Sequence, residues 1–180
     1  MQANQVNPKT FLLHLAIIIP AFLISCSAPP KKVVDLSKER ASISAMLDSF
    51  NVAAARADFN RYFSFYDSGA IFIGTDATER WTKDSFMVWS KPYFDRGRAW
   101  NFSSVQRDIY FSEDGGMAWF DELLNTQMKI CRGSGVLAKI GDEWKIRQYV
   151  LSTTIPNRII DTVISLKAAE EDSILSSLKK

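Results

Sequence analysis

The chain has 180 residues, 47% hydrophobic and 23% charged, which suits one ordinary globular core and excludes both a disordered chain and two full domains. Twenty-two Lys and Arg stand against 20 Asp and Glu, and no basic cluster is longer than Lys31-Lys32, so nothing here is an electrostatic footprint for nucleic acid. Two cysteines, Cys26 and Cys131, and one histidine, His14, exclude a disulfide framework and a cysteine zinc site.

Residues 1–10 are polar, with Lys9 and no acid, and FLLHLAIIIPAFLIS follows over residues 11–25. A membrane-spanning helix needs roughly 20 apolar residues, so this shorter run reads as the hydrophobic part of a secretory signal. Leu23-Ile24-Ser25-Cys26 resembles a bacterial lipobox, in which the small residue before the cysteine fits the peptidase and the cysteine takes the lipid. The expected organisation is a lipoprotein signal peptide (1–25), a tether (26–34, with Pro29-Pro30-Lys31-Lys32), a folded body (35–157) and a C-terminal helix (158–180). The expected address is the cell envelope, lipid-anchored in the membrane. Ser27 carries no acid, which points to the periplasmic face of the outer membrane if the host has one. Cleavage before Cys26 also removes His14, so the mature chain has no histidine for a Ser-His-Asp triad, a Cys-His dyad or a metal. No cofactor and no metal are expected, and any acid–base chemistry falls to Asp, Glu, Lys or Tyr.

In the body, apolar residues from Leu36 to Ala57 recur at helical spacing, with Asp35 or Ser37 as cap. Asp58 caps a short helix from Phe59 to Tyr66, and Asp67-Ser68-Gly69 reads as a turn. A buried strand, Ala70 to Ile73, ends at Gly74, and a loop runs from Thr75 to Trp81. Thr82 caps a third helix from Lys83 to about Tyr93, which Pro92 bends or ends. Four consecutive antiparallel strands are predicted over 100–111, 117–128, 130–140 and 143–152, with turns at Glu113-Asp114-Gly115-Gly116 and Gly141-Asp142-Glu143. Strict alternation along the last strand puts Trp144, Ile146, Gln148 and Val150 on one face and Lys145, Arg147 and Tyr149 on the other. Residues 158–178 form a terminal helix.

The order helix, short helix, strand, helix, four strands resembles the nuclear transport factor 2-like, or SnoaL-like, α+β cone over about residues 36–157. The text from Ala57-Asp58 through AIFIGTDATERW is similar to the family's opening half. GGMAWFDE, RGSGVL and DEWKIRQYVLS are similar to its closing sheet. The resemblance implies a curved sheet wrapped around helices and a conical, mostly apolar pocket, used across the family for isomerisation, cyclisation, dehydration or binding. Such a fold does not by itself name a function. The base aspartate of the ketosteroid isomerase branch falls on Gly74 here and its oxyanion tyrosine on Phe50. Where the cyclase branch often has a histidine, this chain reads Arg147-Gln148-Tyr149-Val150.

The candidate ligand-binding residues are Tyr62, Asp76, Arg80, Trp119, Asp121, Arg132 and Gln148. If Trp119 faces the cone, Asp121 faces it too, and a carboxylate there needs a partner, for which Arg132 is the candidate. The alternative is that Glu122 faces in and Asp121 out. Gln148 shares the assigned inner face of Trp144. Asp76 and Arg80 lie on the loop at the expected mouth, where a solvated pair is the competing reading. Tyr62 and Tyr66 also suit helix packing, and Trp81, Trp89 and Trp100 suit core or rim. Gly133 and Gly135 suggest a bulge or a close approach in a strand. Two functions stay open: a lipid-anchored domain whose pocket binds an unknown small molecule or a partner, or an isomerase, dehydratase or cyclase using Asp121 as base with Arg132 or Gln148 stabilising an enolate. A homodimer is also expected, through an outer stripe of Phe120, Leu124, Leu137, Tyr149 and Leu151, unless the terminal helix covers that stripe.

Overall fold

The computed structural model describes residues 35–179; the expected signal peptide, Cys26 and the tether lie outside them. The first helix, α1 (Leu36–Ala55), starts where the Asp35 carboxylate accepts from Ser37 N and Lys38 N, and it buries Ile43, Leu47, Phe50 and Ala54. Ala57 takes φ 52°, which turns the chain into α2 (Phe59–Ser64), capped by Asp58 accepting from Arg61 N at 3.0 Å. Then come β1 (Tyr66–Ile73), β2 (Arg80–Thr82) and α3 (Lys83–Asp95), the last capped by Thr82. Four long strands follow: β3 (Phe102–Phe111), β4 (Met117–Thr126), β5 (Lys129–Ile140) and β6 (Glu143–Thr153). A 3-10 turn, Asn157–Ile159, leads into α4 (Ile160–Leu178). This is an α+β fold with one curled six-stranded sheet, ordered β2-β1-β6-β5-β4-β3. Only β1 and β6 run parallel; the other neighbours are antiparallel.

The helices α1 to α3 pack on one face of the sheet, and aromatic rings fill the space between them. Phe50 stacks on Tyr62 at 4.4 Å and Phe72 on Phe86 at 4.0 Å, while the Tyr149 ring lies 5.9 Å from Phe72. The cone interior is thus mostly core.

Several local expectations change. Asp67-Ser68-Gly69 is no turn between elements but an irregular stretch inside β1, where the register against β6 shifts between Tyr66 and Ile71. The expected loop Thr75–Trp81 ends in β2, hydrogen-bonded to β1. The helix runs through Pro92 to Asp95.

The strand faces change most. On β4 the buried residues are Ala118, Phe120, Glu122, Leu124 and Thr126, so Trp119 and Asp121 point outward. The reason lies across the ladder. Phe120 pairs with Gly135 and Glu122 with Gly133, and two glycines in alternate positions leave room on the inner face for the side chains opposite. A Cβ on Gly135 would meet the Gln148 carbonyl at 2.4 Å and the Phe120 ring at 2.8 Å. On β6 a bulge opposite Val136-Leu137 breaks the alternation, so Trp144 and Ile146 face in, and then Tyr149 and Leu151. The stripe expected outside, Phe120, Leu124, Leu137, Tyr149 and Leu151, is therefore entirely buried in the core.

Candidate functional site

Two features of the body hold chemistry. One is an ionic cluster under α1. Arg107 Nε donates to Glu122 Oε2 at 2.9 Å, and its Nη1 donates to Ser44 O, Ser44 Oγ and Asp48 Oδ1 at 2.9–3.0 Å. Tyr149 OH donates to the other Glu122 oxygen at 3.4 Å. The Glu122 and Arg107 side chains are only 1% and 7% exposed. Burial raises the Glu122 pKa, against the opposing pull of the Arg107 charge and hydrogen bond. Tyr149 is held well above the usual phenol range, first by burial and then by the Glu122 charge. A bulge in β3 between Ser104 and Gln106 helps bring Arg107 to the inner face. Glu122 therefore has its acceptors engaged by the protein itself.

The other feature is a cleft of about 140 Å³ between α3, the β1–β2 turn and the β4–β5 hairpin. Trp81, Trp89, Trp100, Phe72, Phe86 and Phe102 make up half of the residues that line it. Its rings lie nearly parallel: Trp81 and Trp89 are 4.6 Å apart at 29°, Phe86 and Trp100 5.9 Å apart at 19°. Among the described residues Glu79 is the single charged side chain on the wall, with Thr75 and Gln127 as the uncharged polar ones. Glu79 is held by the turn, where its Oε2 accepts from Asp76 N at 3.2 Å. Gly74 beside it leaves room for this position: a Cβ on residue 74 would sit 2.1 Å from that same oxygen and push the carboxylate aside. Two broader and more open depressions, of about 450 and 390 Å³, lie at helix ends and carry mixed polar linings.

None of the seven residues singled out from sequence lines the aromatic cleft. Tyr62 is buried in the helix layer, with its hydroxyl 3.3 Å from that of Tyr66, and burial raises its pKa. Asp76 is exposed and accepts from Thr78 N and Oγ1 at 2.8 and 2.6 Å, bonds that lower its pKa. Arg80 is exposed on β2. Trp119 stacks on Tyr110 at 5.9 Å on the outer sheet face. Asp121 and Arg132 do meet, at 3.3 Å, but outside the cone, with side chains 42% and 52% exposed. Gln148 sits half-buried at the β6 bulge. The inward orientation expected of Trp119 and Asp121 is thus corrected, and with it the enolate geometry built on Asp121, Arg132 and Gln148. Sequence reasoning missed Glu79 as a site residue. The available signal was Gly74 itself, since a glycine at a strand end leaves space for a neighbouring side chain.

Among the described residues no group of three or more His, Cys, Asp or Glu is placed to hold a metal. Among them, too, no helix is long and apolar enough to cross a membrane.

The SnoaL-like domain family matches residues 43–156, more than half of the chain, and the chain belongs to that family. Solved structures share the fold at low identity. An NTF2-like protein of unknown function from Pseudomonas putida KT2440 is 11% identical, with TM-score 0.58 over 67% of this chain and 90% of that one. A candidate dehydratase of the NTF2-like family from Streptomyces avermitilis is 13% identical, with TM-score 0.58 over 67% and 99%. An NTF2-like protein from Cytophaga hutchinsonii is 13% identical, with TM-score 0.54 over 64% and 98%. No curated protein matches the chain in sequence.

Proposed function

We propose that the protein is a lipid-anchored binding module of the cell envelope, held by Cys26, whose aromatic cleft takes a small flat ligand with a positive or hydrogen-bond-donating group toward Glu79. The observation that carries this reading is the cleft itself: near-parallel indole and phenyl rings with one carboxylate on the wall. A flat ring extends such a stack, at about 0.5–1.5 kcal/mol beyond its area burial. A cation gains further from the ring faces. The volume lies below the roughly 300–1,000 Å³ of drug-sized sites, so the ligand is small or protrudes.

Quenching of tryptophan fluorescence by benzylammonium and by benzoate tests the cleft, because the two probes share a ring and differ in charge. Stronger quenching by benzylammonium, abolished as a difference by Glu79→Gln, is the expected result. Equal response to both probes would reject the assignment. The anchor is tested separately by labelling cells with a radioactive fatty acid. The wild type takes up label and Cys26→Ala does not; label retained by the variant overturns the lipobox reading.

A second reading is favoured by one contact. Glu79 brings its carboxylate to the space beside Gly74, inside an aromatic cleft, so in this reading the proton-transfer role belongs to Glu79 rather than to Asp121. Native mass spectrometry of protein from its own host, with Glu79→Gln alongside, separates the readings. A ligand carried unchanged supports binding; one converted by the wild type and not by the variant supports catalysis.

A further inference from the structure

Helix α4 buries no residue and leaves Ile160, Ile164, Leu175 and Leu178 at 37–76% exposure. At 3.6 residues per turn, Ile160, Ile164, Lys167, Glu171, Ile174 and Leu178 fall on one stripe. They occupy successive d and a positions of a heptad, with Ile160, Lys167 and Ile174 at d and Ile164, Glu171 and Leu178 at a. The stripe therefore has apolar ends and a charged centre. The centre is already a pair within the helix: Lys167 Nζ lies 2.9 Å from Glu171 Oε1, both side chains 45% exposed.

We infer that α4 is a self-complementary dimerisation seam, pairing antiparallel with α4 of a second copy of this chain. Reversing the helix about a two-fold axis beside Ala169 places Ile160 against Leu178, Ile164 against Ile174, and Lys167 against Glu171. Every row then meets its complement, apolar on apolar and base on acid, and the two-fold repeats each row once more. Parallel pairing would instead stack Lys167 on Lys167 and Glu171 on Glu171, which is repulsive. A membrane surface is the poorer occupant, because α4 carries Asp161, Glu170, Glu171 and Asp172 against Lys167 alone, whereas helices that lie on anionic lipid are basic on their polar face. The isologous contact closes on itself, so it yields a dimer and not a filament. Polar rows at the centre lower the strength of the seam and specify its direction. This seam is distinct from the outer sheet stripe expected from sequence, whose residues are core, and it does not rest on the cleft.

The test uses the full-length chain with Cys26→Ser, sedimented in density-matched detergent. Wild-type α4 should give dimer at tens of micromolar. Lys167→Glu makes both central positions acidic and Glu171→Lys makes both basic, so each variant alone should dimerise at least tenfold more weakly. An equimolar mixture of the two should dimerise again, because unlike charges then face each other between chains. That rescue cannot come from the intrahelical pair, which both variants lack. Direction is read by disulfide formation: Ile160→Cys with Leu178→Cys in one chain should cross-link two copies. Ile160→Cys alone should not, since antiparallel helices of this length hold those positions about 27 Å apart. A wild-type monomer, dimers unaffected by both charge variants, or cross-linking of Ile160→Cys alone would each overturn the inference.

Discussion

Asp121 and Glu122 are adjacent on β4, and each meets an arginine, yet the two pairs live in different solvents. Asp121 and Arg132 lie on the outer sheet face with about half of each side chain in water. Glu122 and Arg107 lie beneath α1, almost wholly out of water, with Ser44, Asp48 and Tyr149 engaging what the pair leaves over. One residue of strand pleat separates a solvated contact from a buried network. Exposed pairs contribute about 0–1 kcal/mol, because water screens them and long side chains resist being fixed. A buried pair is different: its formation is costly, but its disruption costs more, since one charge is then stranded.

That contrast is testable from its strong end. Glu122→Gln or Arg107→Met should each destabilise the body by about 3–5 kcal/mol in urea unfolding. The double variant should recover part of the loss, because no charge of the pair is left alone. Full additivity would mean the two groups do not act as a pair. The face assignment itself is probed by Gly135→Ala. Its new methyl would press on the Gln148 carbonyl and the Phe120 ring, at a cost of about 1–3 kcal/mol. A neutral result would mean Phe120 does not lie over Gly135.

Acid sharpens the comparison through a third carboxylate. Glu39, in α1, accepts from Trp144 Nε1 at 2.7 Å and pairs with Lys139; those two hydrogen bonds, Lys139 first, lower its pKa. Its contribution is present above the ordinary value of 4.5 and is lost as pH falls through the lowered folded value. Glu122 has the opposite sign. Its raised pKa favours the folded state at low pH, and that contribution is lost as pH rises from 4.5 through the folded value. Carboxyl carbon NMR across that range should show Glu39 titrating below 4.5 and Glu122 above it. Reversed order would remove the burial argument for Glu122. The smallest effect is expected outside: Asp121→Asn should change stability by no more than about 0.5 kcal/mol, measured by the same urea titration. A loss near that of Glu122→Gln would put Asp121 back inside the cone.

Much of the fold was legible residue by residue. Asp35, Asp58 and Thr82 each cap the helix they precede, because a side-chain acceptor beside free backbone N–H groups acts locally. The four long strands and their turns were equally readable, as was the terminal helix. The pocket walls were less so. Trp81, Trp89 and Trp100 were readable as core or rim, but their meeting around Glu79 joins a turn, a helix and a hairpin far apart in the chain.

By itself, the sequence determined the helices and the long strands in order, though not β2, together with the caps, since those rest on contacts within a few residues and on a pattern of apolar spacing; the family showed as a resemblance in local text and element order. Tertiary structure decided which face of each strand is inside. On β4 both alternating sets are partly apolar, Met117, Trp119 and Leu123 on one side and Phe120 and Leu124 on the other, so periodicity could not choose between them. The choice came from Gly133 and Gly135 on the neighbouring strand, which leave room on one face only, and from the β6 bulge that re-aims Tyr149 toward Glu122. A period of two carries no information about which neighbour will yield space, and that is a property of the assembled sheet.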